Sequence, residues 1–172
     1  MKTVRESLGP WLRRRAENVA AAMIAVMFVA FIIQIAFRYL LNFPIGWTSE
    51  LTIIAWLWLV LWGAAFVVTE REEIRFDLIY GAVGPRARRL MAIVTAVALL
   101  VLYTMSLPAV VDYVTFMKVQ STAYLKIRFD YLYSIYVVFA VAVIVRYLWI
   151  LKDALRGTAP EAFDPTKASS GV

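Results

Sequence analysis

The chain has 172 residues, of which 63% are hydrophobic, and it carries 18 Lys and Arg against 12 Asp and Glu. It contains no cysteine and no histidine. This composition excludes disulfides, thiol catalysis, histidine-ligated haem and most zinc sites. We expect no catalytic, cofactor-binding or metal-binding residues in this chain. The basic residues flank long apolar runs, which predicts membrane lipid, and not nucleic acid, as the partner of their charge.

Four long apolar runs make up nearly half of the chain and contain a single charge, Arg146. They are Val19–Phe37, Leu51–Val68, Leu90–Val111 and Tyr131–Ile150. At about 1.5 Å per helical residue, each run is long enough to cross a hydrocarbon core about 30 Å thick. Because backbone amides in lipid must find their partners within the helix, the runs predict an all-α integral membrane protein with four transmembrane helices.

The segment 72–83, which reads EEIRFDLIYGAV, is neither a span nor an ordinary loop. Ile74, Leu78 and Ile79 recur at helical spacing, so we predict a short interfacial helix between the second and third transmembrane helices. Its role is either docking or a plain connection along the lipid surface. The predicted organisation is an amino segment 1–18, a transmembrane domain 19–150 that includes 72–83, and a partly disordered tail 151–172.

The distribution of Lys and Arg predicts the orientation of the helices in the membrane. Thirteen of these residues lie in the amino segment, the second loop and the tail, against four in the first and third loops. The thirteen are Lys2, Arg5, Arg13, Arg14, Arg15, Arg71, Arg75, Arg86, Arg88, Arg89, Lys152, Arg156 and Lys167, and the four are Arg38, Lys118, Lys126 and Arg128. The positive-inside rule then places both termini in the cytoplasm, and we expect the first helix to be retained rather than cleaved.

The first loop carries the pattern Arg-Tyr-x-x-Asn-x-Pro-x-x-Trp-x-x-Glu, from Arg38 to Glu50. Most of this pattern has a structural explanation. Its aromatic residues, Tyr39 and Trp47, suit the aromatic belt of a membrane protein. The second helix could be capped by one of three polar side chains near its start, namely Asn42, Thr48 and Ser49.

Glu50 is the residue of this loop with the most open interpretation. It lies in the first turn of the second helix, where the helix dipole favours an anion. We expect Arg38 and Glu50 to pair across the loop, although either residue could instead bind a partner subunit. An ion-binding or proton-carrying Glu50 is the alternative, and its position at a helix end argues against that role.

In this order and spacing, the residues resemble the small membrane subunit (the Q-type small permease) of tripartite ATP-independent periplasmic (TRAP) transporters, over residues of about 15 to 155. The resemblance rests on Arg38, Tyr39, Asn42, Pro44, Trp47 and Glu50, on Trp58 and Gly63 of the second helix, and on the later stretch from Ile74 to Asp77. Family members often carry histidine immediately before this stretch, where the chain has Glu73.

The resemblance implies a scaffold subunit, not an enzyme, in a heteromeric uptake system of the bacterial inner membrane. Its partners would be a large multispanning membrane subunit that moves like an elevator and a periplasmic substrate-binding protein. The system would take up organic acids, such as carboxylates or sialic acid, by sodium symport rather than with ATP. The residues that carry the resemblance are then structural or interface candidates. The chain fits a passive role because its helices lack paired intramembrane carboxylates and internal inverted repeats.

Two other functional classes remain open at this stage. A small four-helix multidrug exporter would use a carboxylate within a membrane helix, whereas Glu50 lies at the edge of one. A membrane anchor of an enzyme complex would need its chemistry from another subunit, because this chain has neither His nor Cys.

Overall fold

The computed structural model describes residues 2–43, 45–68 and 84–156, without the side chains of residues 2–10 and of Pro85. This part of the chain contains four long helices, α1 (Lys2–Tyr39), α2 (Trp47–Trp62), α3 (Pro85–Phe116) and α4 (Phe129–Leu155), and no strand. All four, with α2 extended by the turn that follows it, are long and apolar enough to cross a membrane. The prediction of an all-α membrane protein with four transmembrane helices is confirmed.

The helix bounds differ from the apolar runs at several ends. α1 begins well before Val19, because the amino-terminal residues continue the same helix. After α2 the chain makes a π-helical turn, Gly63–Val67, in which the amide of Val68 donates to the carbonyl oxygen of Gly63 at 2.9 Å. α3 continues through Pro108. The predicted interfacial helix at 72–83 lies outside the described residues, as does the tail from residue 157.

The chain forms two compact units, Met1–Thr69 with Leu107–Ala142 and Glu70–Ser106 with Val143–Val172. In the first unit α1 packs along α2 and along the π-helical turn. Ala16 and Ala30 of α1 are buried, at 7% and 2% exposure. Such small side chains allow two helix backbones to approach closely, which is how helices associate in lipid.

Indole groups of α2 join other elements of the first unit by hydrogen bonds to main-chain carbonyls. The Nε1 of Trp62 donates to the carbonyl oxygen of Ala16 at 3.1 Å, and the Nε1 of Trp58 donates to that of Leu132 at 3.0 Å. An indole N–H can only donate, and in hydrocarbon no water is present to accept from it. These two bonds therefore connect α2 to α1 and to the start of α4.

In the second unit, Arg89 near the start of α3 binds the end of α4. Its Nε donates to the carbonyl oxygen of Ala154 at 2.6 Å, and its Nη2 donates to that of Leu155 at 2.9 Å. The last carbonyls of a helix have no partner within the helix, and the helix dipole makes this end attractive to a cation. Arg89 is therefore a C-terminal cap for α4.

Replacing Arg89 with Met is expected to lower the free energy of unfolding by about 1–2 kcal/mol, because two charge-assisted hydrogen bonds are lost. Arg86→Met is the matched control. Arg86 is an exposed cation of the same helix turn, and its side chain forms no hydrogen bond or ion pair with the described part of the chain. Thermal unfolding of the purified chain in detergent, followed by circular dichroism, measures both variants. Equal midpoints for the two would contradict the capping role.

Candidate functional site

The first loop, residues 40–46, connects α1 to α2 through a residue in the left-handed region. Asn42 has φ of 49°, a conformation that asparagine adopts more readily than most residues. The amide of Phe43 donates to the carbonyl oxygen of Phe37 at 3.0 Å, which closes the loop onto the end of α1. Arg38, Tyr39 and Asn42 are all exposed. Pro44 lies outside the described residues.

α2 begins without a side-chain cap. Gly46 occupies the N-cap position, and no hydrogen bond from a described side chain caps the helix, so the predicted capping by Asn42, Thr48 or Ser49 is wrong. The register explains the difference. Thr48 and Ser49 already lie inside the helix, where the Thr48 hydroxyl donates back to the carbonyl oxygen of Ile45 at 3.3 Å and the Ser49 hydroxyl accepts from a glutamine of α1.

Glu50 binds the third loop and not Arg38. Its Oε1 accepts the amide N–H of Tyr124, and its Oε2 accepts that of Leu125, both at 2.9 Å. No hydrogen bond or ion pair joins Arg38 to Glu50 among the described residues, so the predicted direct pair is wrong. The physical reason is that both carboxylate oxygens already accept main-chain donors, while the Arg38 guanidinium lies 5.9 Å from the ring centroid of its neighbour Tyr39.

The third loop is folded so that its tip presents these two amides. The amide of Thr122 donates to the carbonyl oxygen of Ile127 at 2.9 Å, and the amide of Ile127 donates to the Thr122 hydroxyl at 3.1 Å. Lys126 adopts the left-handed φ of 55° that the reversal requires, and a bridge between Ser121 and Arg128 closes the base. The amides of Tyr124 and Leu125 at the tip donate to the Glu50 carboxylate of α2 and not to an acceptor within the loop.

Gly46 gives the third loop space to approach α2. A Cβ atom at this position would overlap the ring of Tyr124. Because Gly46 has an ordinary helical φ of −90°, the site requires space and not a special backbone conformation. We refer to Gly46, Glu50, Tyr124 and Leu125 as the loop junction, since they join the first and third loops within one compact unit.

The other predicted site residues lie elsewhere, so the pattern does not form one cluster. Trp47 lines an apolar groove of about 280 Å³ between α1 and α2. Trp58 binds α4 as described above, and Gly63 begins the π-helical turn with nothing within 4 Å of the place where a Cβ would sit. Ile74 and Asp77 lie outside the described residues. Within the described ranges, no group of three His, Cys, Asp or Glu side chains could hold a metal ion.

Sequence reasoning missed three residues that take part in these contacts, Tyr124, Leu125 and Arg89. The first two act through their backbone amides, which have no side-chain signature. Arg89 is one of three arginines within four positions of α3, and the sequence does not distinguish the one that reaches α4. For Glu50, the sequence shows only a carboxylate at the start of a helix. It does not indicate which groups that carboxylate binds.

Comparison with known proteins gives one match to a family. Residues 27–157, about three quarters of the chain, match the family described as tripartite ATP-independent periplasmic transporters, DctQ component. No curated protein matches the sequence.

Replacing Glu50 with Ala is expected to raise the amide exchange rates of Tyr124 and Leu125 by about tenfold, because each amide loses a charge-assisted hydrogen bond. Hydrogen exchange of the purified chain measures this, and Glu50→Gln should give an intermediate result, since one carbonyl oxygen remains. Asp112→Ala is the control, because that carboxylate is exposed on α3 and accepts no hydrogen bond in the described part of the chain. Unchanged exchange at both amides in Glu50→Ala would show that the junction does not hold the loop.

Proposed function

The chain belongs to the DctQ family, the small components of tripartite ATP-independent periplasmic transporters, and we propose that it is the static scaffold for a large, elevator-type membrane subunit. The complex takes up organic acids, carboxylates or sialic-acid-like solutes, that a periplasmic binding protein delivers. A sodium gradient drives the uptake. The chain contributes no substrate-binding residue.

The observation that carries this proposal is how little of the surface of its own apolar helices the chain buries. In the most apolar stretch of each of the four helices, only 6%, 6%, 11% and 17% of the residues are buried inside the chain. Helices in lipid associate through van der Waals contact and a few hydrogen bonds, each worth about 0.6 kcal/mol, so a stable complex needs a large contact area. The uncovered helix faces offer that area to a larger subunit.

The geometry of Glu50 supports a scaffold over a four-helix exporter. An exporter of that kind needs a carboxylate that can exchange protons or ions with a substrate path. Both oxygens of Glu50 instead accept hydrogen bonds from amides of the third loop, so this carboxylate has a structural role. The family is one of transporter components, which also argues against the anchor of an enzyme complex.

The orientation proposed here places both termini in the cytoplasm of a bacterium and the loop junction in the periplasm, where the binding protein docks. The support is the excess of Lys and Arg in the amino segment, the second loop and the tail. Tyr39, Asn42 and Lys126 then face the periplasm and are exposed there to a partner.

Single cysteines test this orientation cleanly, because the chain has no native cysteine. In intact cells, a membrane-impermeant thiol reagent added from outside should label Lys126→Cys and leave Ser7→Cys unlabelled until the cells are lysed. Labelling of Ser7→Cys from outside would overturn the orientation.

The transport role is tested in vesicles that contain the chain with its large subunit and the binding protein outside. Carboxylate uptake should require all three proteins and an inward sodium gradient, and it should fall to background when the chain is omitted. Sodium-coupled uptake by the chain alone would refute the scaffold role. Equal uptake without a sodium gradient would refute sodium coupling, and drug efflux by the chain alone would favour the exporter.

A further inference from the structure

Between residue 11, the first whose side chain is described, and the apolar run at Val19, α1 carries an exposed polar face of four residues. These residues are Trp11, Arg14, Arg15 and Asn18, and we call them the α1 basic face. At about 100° per residue, the four positions fall within a sector of about 100° around the helix. Trp11 is 53% exposed although it is the most apolar of the four.

Glu17 is the one carboxylate between residues 11 and 18, and it is paired with Arg13. The Nε of Arg13 lies 2.8 Å from the Oε1 of Glu17, and Glu17 is about 120° around the helix from Trp11. No ion pair joins Arg14 or Arg15 to a carboxylate in the described part of the chain. The guanidinium of Arg15 lies 5.3 Å from the ring centroid of Trp11, a cation–π contact that holds the guanidinium against the ring.

The basic face points away from α2. Ala16, which accepts the indole hydrogen bond of Trp62, is 7% exposed and marks the side of α1 that α2 covers. Ala16 lies about 140° around the helix from Trp11. The two arginines are therefore directed to the surroundings of the chain.

The positions of Arg14 and Arg15 along α1 match the height of lipid headgroups. At about 1.5 Å per residue, Arg15 and Arg14 precede Val19 by about 6 Å and about 7.5 Å. The headgroup region of one leaflet is about 5–7 Å thick. Because α1 is one continuous helix through Lys2–Tyr39, the height of both arginines is fixed relative to the apolar run.

We propose that the α1 basic face binds the headgroup of an anionic phospholipid. Arg14 and Arg15 donate to the phosphate, for which the planar guanidinium is well matched. The Asn18 amide is a further donor next to them. Trp11 lies about 12 Å before Val19, on the aqueous side of both arginines, where its ring holds the Arg15 guanidinium. The proposal depends neither on the transported solute nor on the orientation of the chain, since it concerns the leaflet at this end of α1.

The test is native mass spectrometry of the purified, delipidated chain in detergent, titrated with phosphatidylglycerol and, separately, with phosphatidylcholine. The chain should prefer phosphatidylglycerol. The variant Arg14→Gln/Arg15→Gln should bind phosphatidylglycerol about thirtyfold more weakly, with its binding of phosphatidylcholine unchanged. Trp11→Leu, which keeps both charges, should weaken phosphatidylglycerol binding by a few fold.

The matched control is Arg86→Gln/Arg156→Gln, which removes the same charge from two other exposed arginines and should leave the preference intact. Equal binding of the two lipids by the native chain would overturn the proposal, as would an undiminished preference in Arg14→Gln/Arg15→Gln. An equal loss in the control would show attraction by net charge alone and would also overturn it. If Arg14→Gln/Arg15→Gln keeps its lipid preference but fails to assemble with the large subunit, the face binds protein instead.

Discussion

Polar groups inside a hydrocarbon layer must find their partners within the protein, and the rest of this structure depends on that constraint. Within each helix the backbone groups form hydrogen bonds with one another, so the side-chain donors are the groups that still need acceptors. Trp58 and Trp62 each donate to a carbonyl oxygen of another helix, where the second lone pair of an already bonded carbonyl is free to accept. Since the hydrophobic effect does not hold helices together in lipid, such single bonds help to decide which helices of the first unit are neighbours.

The loops follow the same constraint at the ends of the helices. The tip of the third loop turns too tightly for its own residues to accept the amides of Tyr124 and Leu125, and Glu50 supplies both acceptors. Gly46 makes the approach possible, because any side chain there would meet the Tyr124 ring. The start of α2 therefore holds the tip of a loop that lies more than seventy residues later in the sequence.

The sequence predicts the helices well because length and apolar composition are sufficient to require them. It does not predict the partners of Glu50, since those partners are backbone amides that any residue type could supply. The expected pair with Arg38 followed from opposite charges across a short loop, but two aligned main-chain donors satisfy the carboxylate first. The π-helical turn at Gly63 was also hidden, because Gly63–Val67 reads as a simple continuation of an apolar helix. The capping prediction is wrong because α2 begins at Trp47. Thr48 and Ser49 therefore lie inside the helix, and Gly46, not Asn42, occupies the N-cap position.

The polar contacts of α1 within the first compact unit lie near its two ends. At one end are the exposed arginines of the basic face and the bond from Trp62 to Ala16, and at the other the bond between Gln34 and Ser49 joins α1 to the start of α2. Between them α1 is apolar, and its contact with α2 includes small residues such as Ala30. A helix held in this way resists movement along the membrane normal, because sliding would bring its charged end into hydrocarbon. It can still pack against a neighbouring subunit along its apolar middle without breaking any internal hydrogen bond. Those two properties would suit the static scaffold that we propose.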